Sequence, residues 1–234
     1  MEPWQQPFAE GQVLLIDKPL RWTSFDVVKK IRILTGISKV GHAGTLDPLA
    51  TGLLIVCTGK YTKQINTYMA QEKEYTGHIT LGAVTPTYDL ESGPVDAKPW
   101  DHLTVADIRA ATVAFTGEIL QVPPAHSAIK KDGKPAYLLA RKGKEVNLEP
   151  RKVTISAFDI TAMEGPVVHF RVVCTTGTYI RSLANDLGQA LGCGAYLSSL
   201  RRTRIGAFRV EDADSILAFE ESVRNKKLEM RNKE

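Results

Sequence analysis

Apolar residues change period several times along the chain, and each change marks an element. GQVLLID (11–17) reads as a strand, and the run from Leu53 to Cys57 is an unbroken apolar stretch of strand length. The second, ended by Thr58-Gly59, predicts a strand buried on both faces. Between them Phe25, Val28, Ile31 and Leu34 recur at helical spacing, behind Thr23 with Asp26 three residues on. That pattern predicts a helix opened by a capping box and stopped at Gly36. A short helix is expected around Thr62 to Met69. From Glu74 to Leu81 the pattern alternates, which puts Tyr75, Gly77, Ile79 and Leu81 on one face and turns Tyr75 inward. Val105, Ile108, Ala111 and Phe115 predict another amphipathic helix, from Thr104 to a stop at Gly117. Two strands, Val153 to Ile160 and Val167 to Cys174, are joined through Glu164-Gly165-Pro166. After a turn at Gly177, Ile180, Leu183, Ala184, Leu187 and Leu191 form the stripe of a further helix. Asp212 to Val223 reads as the last helix, and Arg224 to Glu234 as a charged, frayed tail.

The segment VGHAGTLDPLATGLLIVCTGKYTK (40–63) stands apart from this periodicity. Gly41 and Gly44 open backbone angles closed to other residues. Pro48 fixes its own φ and keeps Asp47 out of the helical region. The pattern predicts a rigid loop at the rim of the core that presents Asp47. An aspartate before a proline is also a common turn starter, so the loop alone does not separate a reactive acid from a cap.

Composition narrows the class. With 234 residues, 43% of them hydrophobic, the chain can bury a full core and fits one large domain or two small ones; one is favoured, over residues 1–223. The net charge of +4 permits an anionic partner without requiring one. Its distribution says more: between Ala128 and Lys152 eight Lys or Arg stand against three acids. That basic hairpin and helix, an element over residues 121–152, is an electrostatic footprint for phosphate, with Lys130, Lys131, Lys134 and Arg141 as candidate phosphate contacts and Arg201 and Arg202 further along. Cys57, Cys174 and Cys193 are odd in number and lack CxxC spacing, which suits a reduced cytoplasmic chain. The five histidines are scattered and unpaired with cysteines at ligand spacing, so no metal site is expected. No run approaches the ~18 apolar residues of a membrane span.

GHAGTLDPLATGLL closely resembles the signature of the TruB-type tRNA pseudouridine synthases, in which the aspartate of the motif is the catalytic residue; here it is Asp47. DKPLRWTSFDVV resembles the opening motif of that family, with Arg21 where a glycine usually stands. GAVTPTYDLESG resembles its acidic turn, with Pro86 replacing one aspartate and Asp89 matching the second acid. CTTGTYIRSLANDLGQALGCGAYLSSLRR carries the second strong resemblance, which assigns Tyr179, Arg181 and Leu200 to the substrate. The family also places an active-site tyrosine at Tyr75. The resemblance covers about Val13 to Phe208, and no C-terminal RNA-binding domain of the PUA type is expected. It implies an α+β pseudouridine synthase fold, a large mixed and mainly antiparallel sheet flanked by helices with the basic element inserted as a thumb, and RNA as the carrier of the phosphates.

The implied reaction breaks the bond between N1 of a uracil and its ribose, turns the base and rejoins it through C5, without a cofactor. Asp47 would act ionised, as a nucleophile or as the base that takes a ribose proton. Arg181 opposes the helix dipole at its position, a cost that an anionic partner such as Asp47 would offset. Tyr75 would stack on the uracil, Leu200 and Tyr179 would wall it, His42 would wedge the space vacated by the extruded base, and Lys18 would assist nearby. The implied partner is the T-arm of tRNA, with its T-loop uridine at position 55 as the target, for a monomer needing no protein partner. Two other classes compete: an RNA-binding or tRNA-folding module that needs no catalysis, and a glycoside hydrolase, which would require a second placed carboxylate for which Asp89 is the nearest loop candidate.

Overall fold

The computed structural model describes residues 1–127, 129–131, 133–140 and 146–231. In chain order its main elements are helix α1 (Gln6–Glu10), strand β1 (Val13–Lys18), α2 (Ser24–Thr35), β2 (Val40–Ala43), β3 (Ala50–Thr58), α3 (Ile65–Ala70), β4 (Lys73–Leu81), α4 (Val105–Thr112), β5 (Gly117–Gln121), β6 (Lys130–Lys131), β7 (Lys134–Pro135), α5 (Ala136–Ala140), β8 (Arg151–Glu164), β9 (Val167–Cys174), α6 (Ile180–Ala190), β10 (Ala195–Ile205), β11 (Phe208–Arg209), β12 (Asp214–Ser215) and α7 (Ile216–Arg231). The architecture is the α+β one expected, a large mixed sheet flanked by helices. The chain divides into two compact units, residues 1–75 with 201–234, and residues 76–200. β4 and β10 each continue from one unit into the other.

In the first unit β3 is the axis. It pairs antiparallel with β1, Leu15 opposite Ile55, and with β2, while β12 adds to β1 in parallel. Its side chains alternate between two cores. Leu54 and Val56 pack with Val27, Val28, Ile31, Phe219 and Val223 of α2 and α7. Leu53, Ile55 and Cys57 pack with Ala43, Ile205 and Val210 on the other side. That is the strand buried on both faces, and each of Leu53, Leu54 and Ile55 contributes about 1.5–3 kcal/mol of burial. α2 opens with the capping box: the Asp26 amide donates to Thr23 Oγ1 at 3.0 Å and the Thr23 amide donates to Asp26 Oδ2 at 2.9 Å. Gly36 ends it in the left-handed region.

One position on α2 departs from expectation. Phe25 is 60% exposed, because the buried side is drawn by Ser24, Val27, Val28, Ile31 and Thr35. Phe25 sits at the edge of that stripe, where the Arg32 guanidinium lies 6.0 Å from its ring. The last helix also differs, being regular as far as Arg231 and so taking in the first eight residues of the expected tail.

The second unit orders β4-β9-β8-β5, with β9 and β5 antiparallel to β8. Ile79, Phe158, Ile160, Phe170 and Val172 are buried in it, as are Ile108 of α4 and Leu183 and Leu187 of α6. Phe158 and Phe170 meet edge to face at 6.3 Å. In the thumb, Lys131 pairs with Lys134 and α5 follows, the hairpin and helix expected. The side chains of Lys130, Lys131 and Lys134, and the whole of Arg141, lie outside the described residues.

Gly52 shows how tightly β3 is gripped within its unit. Its φ is +101°, and a Cβ there would stand 2.3 Å from the Arg202 carbonyl oxygen. Gly52→Ala is therefore expected to lower the unfolding free energy by more than about 2 kcal/mol in urea denaturation. Gly93→Ala, with nothing within 4 Å of the new methyl, should change it by no more than about 0.5 kcal/mol.

Candidate active site

Asp47 is half-buried in a loop between β2 and β3 whose main chain is tied down residue by residue. Gly44 enters the loop at φ +91°. The Leu46 amide donates to Ser24 Oγ at 2.9 Å, and that hydroxyl donates back to the Leu46 carbonyl at 3.3 Å. The Pro48 carbonyl accepts from the Arg21 amide at 2.8 Å, and the Asp47 carbonyl from the Ala50 amide at 3.0 Å. Arg21 holds φ +66°, a left-handed conformation that glycine adopts more readily than a residue with a side chain. A loop fixed at Leu46, Asp47 and Pro48 leaves the Asp47 side chain few directions in which to point.

Cations surround this loop. Lys18 is fully buried, with Nζ donating to the carbonyls of Pro19 at 3.0 Å and Trp22 at 2.5 Å. Burial pushes its ammonium down to about 8; Asp47 pulls it back up, Arg202 pushes it down and Asp26 opposes. Lys18 thus shares an electrostatic neighbourhood with Asp47. His42 is held below the ordinary histidine range, first by burial and then by the Arg202 charge, a shift that favours the neutral imidazole. Its Nδ1 is buried without a hydrogen-bond partner among the described residues. Tyr75 is buried at the end of the unit's stretch of β4, facing inward as the alternation predicts.

Arg201 and Arg202 diverge on β10. Arg201 grips Asp17 with two hydrogen bonds, at 3.0 and 2.7 Å, and remains partly exposed. Arg202 is 1% exposed, and its guanidinium donates from Nε to the Leu53 carbonyl at 2.8 Å and from Nη2 to the Gly44 carbonyl at 3.1 Å. The expectation that Arg202 touches RNA is corrected on this ground: a side chain closed off from solvent offers nothing to a phosphate.

The other expected residues lie in the second unit. Tyr179 caps α6, and Gln121 holds its main chain from both sides: the Tyr179 amide donates to Oε1 at 2.8 Å and Gln121 Nε2 donates to the Tyr179 carbonyl at 3.1 Å. Arg181, in the first turn of α6, is buried and donates to the carbonyls of Thr87 at 3.2 Å and His126 at 3.1 Å. Its Nε lies 3.6 Å from the buried Asp89 carboxylate, whose other oxygen accepts from the Glu91 amide at 3.0 Å. Sequence reasoning looked to Asp47 for the acid that offsets the helix dipole; within its own unit Arg181 finds Asp89. Leu200 is buried on β10. Ser24 and Gln121 carried no signal in sequence beyond lying beside a capping threonine and a Pro-Pro step.

The family model described as TruB family pseudouridylate synthase (N terminal domain) matches residues 32–180, and that of the tRNA pseudouridylate synthase B C-terminal domain matches residues 181–230. The tRNA pseudouridine synthase B of Flavobacterium johnsoniae is 51% identical over 225 residues, 93% of this chain and 98% of its own. That of Phocaeicola vulgatus is 48% identical over 228 residues, 95% of this chain and 97% of its own. Among solved structures, that of an H/ACA RNP bound to a substrate RNA containing 2'-deoxyuridine superposes at a TM-score of 0.73 with 28% identity over 97% of this chain. This chain spans 58% of that one.

The buried lysine has a measurable consequence. Between about pH 8 and 10.5 the unfolded chain holds the Lys18 proton while the folded chain has released it, so this group's contribution to stability rises with pH across that window. The difference in unfolding free energy between the wild type and Lys18→Met should rise by on the order of 2 kcal/mol from about pH 7.5 to pH 10. A difference that stays flat would return Lys18 to an ordinary lysine.

Proposed function

The chain belongs to the TruB family of pseudouridylate synthases, and we propose that the carboxylate of Asp47 is its reactive group. It is a tRNA pseudouridine synthase, an isomerase that acts on a uridine of tRNA. The observation that carries the assignment of Asp47 is its loop. A capping aspartate needs only its own turn, whereas here the residues on either side are fixed by Ser24 and by the Arg21 amide. Such restraint suits an acid that must meet a sugar or a base in one geometry.

The target is the T-loop uridine, at position 55 of tRNA, extruded from the T-arm at a cost of a few kcal/mol. Asp47 acts ionised, either adding to the nucleotide or removing a ribose proton. Tyr75, Tyr179 and Leu200 contact the base, and Arg181 serves the chemical step. His42, neutral and partly buried, is suited to fill the place of the extruded base, since an uncharged imidazole stacks among bases without demanding a counter-ion. Lys18, close enough to feel the charge of Asp47, helps keep that carboxylate ionised. The basic thumb and the exposed part of Arg201 meet phosphates. Among the described residues no helix is long and apolar enough to cross a membrane. We place the enzyme in the cytoplasm with its tRNA, working as a monomer. A module that only binds or folds tRNA would have no use for a fixed carboxylate.

Asp47→Asn is expected to bind unmodified tRNA within about threefold of the wild type while forming no pseudouridine, mapped at base resolution; retained activity ends the assignment. Arg181→Met should lose turnover by about a hundredfold or more with salt-dependent binding nearly unchanged. Because it leaves Asp89 buried without its ion pair, it should also lose about 3 kcal/mol of stability. A dominant loss of binding would make Arg181 a phosphate contact instead.

A further inference from the structure

Two glycines in the left-handed region bracket Asp47, Gly44 at φ +91° and Gly52 at φ +101°. Arg202 reaches both. Its guanidinium donates to the Gly44 carbonyl and, across the loop, to that of Leu53, the residue after Gly52. Its main chain lies so close to Gly52 that a side chain there would collide with the Arg202 carbonyl oxygen and amide nitrogen, at 2.3 and 2.8 Å. The backbone between Gly44 and Leu53 is thus tied at its two ends by a single residue of β10.

A buried guanidinium is a costly way to fill space. Taking it out of water costs several kcal/mol, and an apolar side chain of similar length would fill the same volume without that penalty. What the arginine adds is direction: two rigid, charge-assisted donors that fix the spacing between two carbonyls. Lysine, with one nitrogen on a flexible stem, cannot reproduce that fork.

We propose that Arg202 is a positioning residue for the reaction, tying the two ends of the Asp47 loop together and so setting where the carboxylate stands. The inference rests on Asp47 being the reactive acid. Arg202 itself is closed off from solvent and touches no substrate. Its charge also bears on the neighbourhood of the loop, lowering the proton affinity of both Lys18 and His42.

The test compares the wild type with Arg202→Met and Arg202→Lys in three measurements on the full chain: dissociation constant for unmodified tRNA, single-turnover rate of pseudouridine formation, and hydrogen exchange of the amides between residues 44 and 53. For Met the expected result is a rate about a hundredfold lower, tRNA affinity within about threefold, and faster exchange in the loop while the β1–β3 amides stay protected. Lys should lose about tenfold in rate and loosen the loop less. A folded Met variant whose rate stays within about threefold of the wild type overturns the proposal. So does a loss of rate that is matched by loss of tRNA affinity and by exchange throughout the fold, which would make Arg202 a structural residue only. If Met does not fold, the Lys variant decides on the same criteria. A wild type that forms no pseudouridine in tRNA would sink the functional reading instead, and the exchange measurement would still report whether Arg202 tethers the loop.

Discussion

A short stretch of main chain, from Gly44 to Leu53, sets the constraint on which the rest of the first unit depends. Polar backbone groups that leave water at the rim of a core must find partners or cost a few kcal/mol each. Pairing with β1 and β2 satisfies β3 from Gly52 to Thr58, but residues 44–49 before the strand lie in no ladder. Their partners come from elsewhere in the unit: the Ser24 hydroxyl at the start of α2, the Arg21 amide in the turn before it, and the Arg202 guanidinium from β10. Each tie draws a different element against the loop. The packing of α2 on β3 and the approach of β10 at Gly52 are therefore coupled to where Asp47 sits.

The same arrangement fixes the local electrostatics. Two cations, Lys18 and Arg202, are buried in the unit that holds Asp47, each satisfied by main-chain carbonyls. Carbonyl dipoles solvate a cation without cancelling its charge, so the field of Arg202 still reaches its neighbours. The charge of Arg202 discourages protons on both His42 and Lys18. The second unit solves a related problem in another way. Arg181 there is set beside Asp89, two carbonyls complete its fork, and Gln121 fixes the main chain of Tyr179 two residues away.

What was readable in sequence follows from how local the cause was. α2, β3, β4 and α6 stood out because period, caps and stops all lie within a dozen residues, and the loop stood out because glycine and proline restrict their own backbone. β10 did not. Its eleven residues include Arg201, Arg202 and Arg204, which look like surface, and only tertiary structure shows that the first meets Asp17, the second enters the core and the third meets Glu72. β2 was hidden likewise, since Gly41 and His42 dilute a four-residue strand that exists only by pairing with β3. Phe25 failed in the opposite sense: a large apolar residue at nearly the right spacing was assigned to the core, and one step of helical phase left it outside. Among the proposed site residues, Asp47, Tyr75, Tyr179, Arg181 and Leu200 rest on the resemblance. Ser24, Gln121 and the structural role of Arg202 act through main-chain atoms, for which side-chain identity gives little warning.

That hidden layer bears directly on the chemistry. With Asp47 as the proposed reactive group, the rate of the isomerisation would depend on holding its carboxylate and a nucleotide in one geometry while the bond is open. Flexibility in the loop would be felt in full at the carboxyl group, because Asp47 has only two side-chain torsions between its backbone and its oxygens. Fixing the backbone is the economical way to place a short side chain. Ser24 and Arg202 are turned toward carbonyls and amides of the loop, while the Asp47 side chain is left half-buried, the arrangement that the proposed role of Asp47 would need.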